Sequence, residues 1–147
     1  MTVPVSSILD RKGNDVLTVS AAEPVSRAVA VMTEGGVGAL VVVDASGDVE
    51  GIVSERDVLS GLASHGTALL ERSVEQVMTS QVRTCTPSTG TTELAETMTE
   101  GRIRHVPVLD EGRLVGIVSI GDVVKSRLDE LAAQAESLEA YVSGTTY

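Results

Sequence analysis

Apolar positions in this chain fall into short continuous runs separated by stretches of helical period, and the same order of runs occurs twice. Val16–Val19 is a short β-branched run. Pro24 then stands at a helix start, and Val25, Ala28, Val29 and Met32 recur at helical spacing as far as Gly35 and Gly36, which stop a helix. Ala39-Leu40-Val41-Val42-Val43 is apolar without a break, the pattern of a strand buried on both faces. Asp44 to Asp48 is turn chemistry, Val49–Val53 reads as the returning strand, and Ser54 to about Ala63 as a second helix. The second half predicts strands near Val82–Cys85, Val106–Leu109 and Leu114–Val118, with a helix near Thr91–Glu100.

The correspondence is residue by residue. At an offset of 66, Thr18 recurs as Thr84, Met32-Thr33-Glu34-Gly35 as Met98-Thr99-Glu100-Gly101, and Asp44 as Asp110. At an offset of 65, Gly51-Ile52-Val53-Ser54 recurs as Gly116-Ile117-Val118-Ser119, and Asp57-Val58 as Asp122-Val123. A short apolar lead-in precedes each copy, Val5 to Leu9 and Val74 to Met78. Each copy is therefore β-α-β-β-α, too small to close a core alone. The expectation is an α/β (α+β) fold of two pseudo-symmetric repeats packed sheet to sheet. Repeat 1 covers residues 5–65 and repeat 2 residues 74–128, with Gly61–Arg72 as the connection. A C-terminal helix and tail, 129–147, outrun the repeat. In that helix Val124, Leu128, Leu131, Ala135, Leu138 and Val142 alternate spacings of four and three, an a/d seam. The seam either covers its own domain's core or pairs with the same helix of a second chain.

Composition narrows the function. With no Phe and no Trp in 147 residues, the core must be built from Val, Ile, Leu, Ala and Met. A net charge of −10 argues against a nucleic-acid partner, which would ask for a basic face, and requires any anionic ligand to find a locally cationic pocket. Cys85 is the only cysteine, so it reads as a small buried hydrophobe. The N-terminus lacks the basic and apolar regions of a signal peptide, and no run approaches the roughly 18 apolar residues of a membrane span. The expected setting is the cytoplasm, with no membrane partner.

Two segments can carry chemistry. Gly51 to Asp57, matched by Gly116 to Asp122, ends a strand at a serine that can cap the next helix, with an aspartate three positions on. This is the pattern of a capping box. It is equally an exposed helix N-terminus able to hold phosphate, beside a carboxylate able to take both hydroxyls of a ribose. The second segment, Arg102-Ile103-Arg104-His105-Val106-Pro107, puts three potential cations just before a buried strand. Guanidinium groups suit phosphate oxygens; a solvated basic turn is the alternative. Strand alternation sends Arg104 and His105 to opposite faces unless the strand has not fully begun. The counterpart Val37-Gly38-Ala39 is small and uncharged, so two pockets built from these repeats are not equivalent. Catalysis finds no support: there are two histidines, one cysteine, and no Walker loop, zinc spacing or G-x-S-x-G.

The paired G-h-h-S-x-x-D endings, the Val77-Met78-Thr79 lead-in and the IRHVPVLD strand resemble cystathionine β-synthase (CBS) domains, from about Val5 to Leu128. GALVVVD, GIVSERDVL and GIVSIGDVV are most similar to the free-standing bacterial members. The resemblance implies a tandem pair, or Bateman module, that binds adenine nucleotides (AMP, ATP or NAD(H)) in clefts between the sheets, needs no cofactor, catalyses nothing, and regulates a target in trans. It implies two crossed clefts. One would use Ser54 and Asp57 with Thr84, Ile103, Arg104 and His105. The other would use Ser119 and Asp122 with Thr18, Val37, Gly38, Ala39 and again Arg104. Asp57 and Asp122 would take ribose, Arg104 and His105 phosphate, and Val37 and Ile103 adenine. Association of two pairs implies a homodimer. The chain departs from the pattern at Gly38 and Ala39, where some members are basic, and Thr89-Gly90-Thr91 lacks the usual proline at a helix entry. The alternative function is a protein–protein interaction module with no physiological nucleotide.

Overall fold

Helix α1 (Val5–Lys12) is the first element of the described part of the chain, which in this computed structural model is residues 3–144. It is followed by β1 (Thr18–Val19), α2 (Val25–Gly35), β2 (Ala39–Val43), β3 (Val49–Ser54), α3 (Glu55–His65), α4 (Thr91–Gly101), β4 (His105–Asp110), β5 (Arg113–Ser119) and α5 (Ile120–Gly144). In one sheet β1 runs parallel to β2 and β2 antiparallel to β3; in the other β4 pairs antiparallel with β5. This is the mixed α/β architecture expected of the repeat, with two sheets and a long C-terminal helix. The last three residues of the expected tail, 145–147, lie outside the described residues.

The repeats differ where local contacts overrule the pattern. No strand forms over Val82–Cys85; a single bridge joins Cys85 to Val108, in the register that joins Val19 to Val42 in the first copy. In the first copy the Val41 N–H donates to the Leu17 carbonyl; the equivalent of Val41 is Pro107, which has no N–H, so that pairing is lost upstream of Cys85. The expected connection Gly61–Arg72 begins too early. α3 runs on to His65, and a 3-10 segment, Gly66–Glu71, buries Leu69 completely. Gly61 is small inside the helix because Leu69 lies against it: a Cβ there would stand 2.6 Å from the Leu69 Cδ1.

The lead-ins exchange places. α1 belongs to the first copy in sequence, yet its Val5, Ile8 and Leu9 lie in one cluster with Leu94, Met98, Val106, Val108, Val118 and Val123 of the second. Val74, the start of the second lead-in, lies with Val19, Ala28, Met32, Leu40, Val42 and Val53 of the first, and Val77 and Met78 pack against that cluster. Backbone bonds fix both crossings. Val5 N–H donates to the Thr89 carbonyl and Thr91 N–H to that of Val3, each at 2.8 Å. Val25 N–H donates to Arg72 and Val74 N–H to Glu23, again at 2.8 Å. Gly90, where a proline was expected, serves as the N-cap residue of α4 and bridges Pro4; its equivalent Pro24 bridges Ser73. Each repeat thus has its own core, closed by the other's lead-in. Burying one valine in this way stabilises the fold by about 1.5–3 kcal/mol.

β2 is buried on both faces, Leu40 and Val42 in the cluster and Ala39 and Val41 opposite. α5 turns Val123 and Ser126 inward. Its seam does not cover the chain's own core: Leu128, Leu131, Leu138 and Val142 are 60, 46, 64 and 55 % exposed.

The crossings also explain two equivalent glycines on the returning strands. A Cβ on Gly51 would stand 2.8 Å from the backbone oxygen of Thr79 and 2.7 Å from the Met78 sulfur; one on Gly116 would meet only the side chain of Leu9, at 2.6 Å. Gly51→Ala is therefore expected to destabilise the protein by about 2–3 kcal/mol, and Gly116→Ala by about 1 kcal/mol, because a leucine tip can move and a paired carbonyl cannot. Urea denaturation of the two variants checks the order; equal losses would contradict the crossing as its cause.

Candidate functional site

β3 ends where its last residue, Ser54, becomes the N-cap of α3. Asp57 N–H donates to the Ser54 hydroxyl (3.4 Å), while Asp57 Oδ2 accepts from Ser54 N–H (2.8 Å) and from its hydroxyl (3.1 Å). The same box closes on α5: Asp122 N–H donates to Ser119 Oγ (3.1 Å) and Ser119 N–H to Asp122 Oδ2 (2.9 Å). Both Ser-x-x-Asp segments are therefore helix caps, as their capping-box pattern predicts. At Asp57 all these bonds go to one oxygen, and among the described residues Oδ1 carries none.

The second contributor is the corner between α4 and β4. α2 and α4 end in matching turns, with Val37 N–H on the Met32 carbonyl and Ile103 N–H on that of Met98, both at 3.0 Å. Such a turn needs a left-handed residue. The first copy supplies Gly36 (φ 64°), whereas the second supplies Arg102 (φ 52°). A side chain in that conformation costs about 1–2 kcal/mol, and strain of this size gathers where a side chain is needed for more than folding.

That side chain reaches a cleft of about 560 Å³ between the repeats, lined from the first copy by Gly38, Ile52, Ser54, Glu55, Arg56, Asp57 and Leu59. The second copy contributes Thr79, Gln81, Val82, Arg83 and the run Gly101 to His105. Four of the chain's 11 Lys and Arg residues, Arg56, Arg83, Arg102 and Arg104, thus line one cleft of a protein whose net charge is −10. β4 begins only at His105, so Arg104 precedes the alternation and both residues line the same space. Burial pushes the His105 imidazole below its usual range, more than Glu55 raises it, so it is held towards the neutral form. A phosphate brought beside it would act in the opposite direction, favouring the imidazolium.

The second expected cleft is different. Ser119 and Asp122 cap α5, but Lys12 of α1 covers the carboxylate: its ammonium donates to Asp122 Oδ2 at 2.7 Å and to the Ile117 carbonyl at 2.9 Å. A separate space of about 100 Å³ lies beside this ion pair, lined by residues of α1 and α5 alone. Burial alone would raise the Asp122 carboxyl, but the Lys12 bond and the Ser119 N–H bring it below the usual carboxylate range. Gly38, expected in this cleft, lines the first one instead, beside Glu55 and His105. Thr18 and Thr84 are exposed, Val37 is at the surface, and Ala39 is buried in β2; none of the four lines either space. Arg56 and Arg83 were missed, although they sit inside the Ser-x-x-Asp segment and one residue before Thr84. Lys12 was missed because the apolar pattern of its helix stops at Leu9.

The CBS domain family matches residues 5–64 and 74–129. A mitochondrial CBS domain-containing protein, CBSX3 of Arabidopsis thaliana, is 34% identical over 95% of this chain and 72% of its own length. The crystal structure of the CBS-domain containing protein ATU1752 from Agrobacterium tumefaciens is 47% identical with a TM-score of 0.83, covering 86% of this chain and 95% of that one. The CBS domain pair of protein MJ0100, solved in complex with 5′-methylthioadenosine and S-adenosyl-L-methionine, is 26% identical with a TM-score of 0.75, covering 84% of this chain and 98% of that one. No described helix is long and apolar enough to cross a membrane.

The strain at Arg102 has a measurable consequence. Arg102→Gly is expected to raise stability by about 0.5–1 kcal/mol, the relief of left-handed strain less the greater freedom of glycine in the unfolded chain. Thermal or urea melts of the purified variant check this; a loss of stability would mean that the arginine makes a folded-state contact worth more than the strain.

Proposed function

The chain belongs to the CBS-domain family, as two copies in tandem, and from that premise we propose that it is a regulatory sensor module that binds an adenine nucleotide and acts in trans on a separate target. The ligand class is AMP, ATP or NAD(H). The observation that carries this reading is the cleft of about 560 Å³ lined by a capping aspartate, Asp57, and by four arginines against one further acid, Glu55. Asp57 Oδ2 is held by the Ser54 cap, which aims Oδ1 for ribose hydroxyls. Arg104 and His105, with Arg56, Arg83 and Arg102 around them, take the phosphates, while Ile103 and the bare backbone of Gly38 offer apolar surface to the base. The adenosine ligands of the MJ0100 pair support the choice of nucleoside. No catalytic step is assigned.

One observation favours the alternative of an interaction module without nucleotide: both Ser-x-x-Asp segments are already fully accounted for as caps. Calorimetry separates the two. Asp57→Ala should weaken AMP binding by about 1.5–3 kcal/mol, the range for losing charged hydrogen bonds in a partly dry site. Arg104→Ala should weaken AMP far more than adenosine. AMP affinity unchanged in both variants would leave capping as the sole role of Asp57.

Assembly follows from α5. The exposed stripe Leu128, Leu131 and Leu138 is apolar surface left to water, and we propose that a second copy covers it in a closed two-fold homodimer. Leu131→Glu with Leu138→Glu should leave a folded protein of monomer mass by light scattering. An unchanged dimer mass would remove the seam from the interface.

A further inference from the structure

Gly38 and Ala39 of the first copy correspond to Arg104 and His105 of the second, and Glu55 corresponds to Ile120. The backbone at this corner is the same in both copies: Glu55 N–H donates to the Gly38 carbonyl at 3.0 Å, and Ile120 N–H to that of Arg104 at 2.8 Å. The side chains are not the same. A Cβ on Gly38 would stand 3.3 Å from Glu55 Oε1 and 3.6 Å from His105 Cε1, so an acid of the first copy and the imidazole of the second meet over a bare glycine. Both residues line the cleft of about 560 Å³, where His105 is half-buried. Among the described residues its ring nitrogens carry no hydrogen bond. Its charged neighbours come from four places: Glu55 on α3, Lys12 on α1, Asp122 on α5 and the adjoining Arg104.

We propose that the Glu55–His105 corner makes nucleotide binding proton-linked: the phosphate enters the cleft together with a proton on His105, so phosphorylated ligands bind more weakly as pH rises above neutral, while the bare nucleoside is indifferent. This rests on the reading that the cleft holds a nucleotide by its phosphate. In the free protein burial holds His105 below its usual range, with Lys12 and Arg104 acting the same way and Glu55 and Asp122 opposing them. The imidazole is therefore mostly neutral at pH 7. An AMP phosphate, of charge about −1.5 to −2 at that pH, adds anionic charge beside it and favours the imidazolium. With the pKa higher in the complex than in the free protein, binding takes up protons in the window between the two, and affinity falls as pH rises through it. The added proton also offsets the repulsion that Glu55 would otherwise exert on the phosphate. No other imidazole competes for the role: His65, the second of the chain's two histidines, ends α3 and does not line the cleft. The counterparts Ala39 and Ile120 do not ionise, so the linkage belongs to this cleft alone.

The test is calorimetry of AMP and of adenosine at pH 7 in two buffers of different ionisation enthalpy, which gives the protons exchanged on binding, with affinities repeated at pH 8. It compares the full native chain with His105→Gln and with His105→Ala, which installs the residue of the first copy; thermal melts verify that both variants fold. The native chain is expected to take up about 0.2–0.8 proton per AMP and to lose about two- to fivefold in AMP affinity from pH 7 to pH 8. Adenosine and both variants are expected to show neither. Among arginines the AMP phosphate itself would release a proton, not gain one, so the sign of the exchange identifies the imidazole. AMP bound without uptake, with equal uptake for adenosine, or with equal uptake in both folded variants would overturn the linkage and leave the nucleotide reading intact. Uptake by the native chain with AMP binding lost from both folded variants would uphold it, since the imidazolium then carries the affinity. No AMP bound by the native chain at either pH would overturn the nucleotide reading and the linkage with it.

Discussion

Everything in this molecule hangs on the exchange of two short apolar segments. A β-α-β-β-α unit of this size leaves one side of its core open, and here each opening is closed by residues that precede the other unit in sequence: Val5, Ile8 and Leu9 for the second, Val74, Val77 and Met78 for the first. The two halves therefore cannot reach full burial independently, because removing either lead-in uncovers the core of its neighbour. The same exchange dictates the glycines at 51 and 116, where an arm passes too close for a side chain. It also decides what the clefts contain, since the residues that follow each arm are carried to the other repeat's helix cap.

From a nearly symmetric frame the chain builds two unlike clefts, and charge makes the difference. Cations are scarce in this protein, and those near the clefts are used in opposite ways. Arg56, Arg83, Arg102 and Arg104 surround an open space without an ion pair among the described residues, and Arg102 adopts a conformation that its glycine counterpart would occupy at less cost. Lys12 instead spends its charge on Asp122 and the Ile117 carbonyl. His105, at the start of β4, feels the carboxylates of Glu55 and Asp122 as well as the ammonium of Lys12, which puts it between the two environments.

The fold was legible in the sequence wherever local pattern and tertiary packing agreed. The five-residue run of β2, the glycine stop of α2 and the paired Ser-x-x-Asp caps all lie where period and cap chemistry put them. The strand over Val82–Cys85 did not form, because Pro107 stands where Val41 donates its N–H to the strand beside it in the first copy. The crossing was invisible for a different reason: an apolar lead-in looks the same whichever core it enters. Lys12 was hidden by that ambiguity, since its importance comes from where α1 lands. Arg104 and His105 stood out as a cluster, but Arg56 and Arg83 are isolated in sequence and meet only across the repeats.

A capping role and a ligand role for Asp57 are compatible. The cap bonds converge on Oδ2 and fix the carboxylate plane at the start of α3, so the remaining oxygen keeps its direction without a cost paid on binding. A carboxylate used only as a cap would be as well placed in an ion pair, as Asp122 is with Lys12. What separates the two is the surroundings: Asp57 lies on a cleft lined by four arginines, and a chain carrying ten net negative charges gathers so many cations in one place only at the expense of leaving its other acids unpaired. Helix capping explains the aspartate but not the arginines, and it is the arginines that make the cleft a site for an anion.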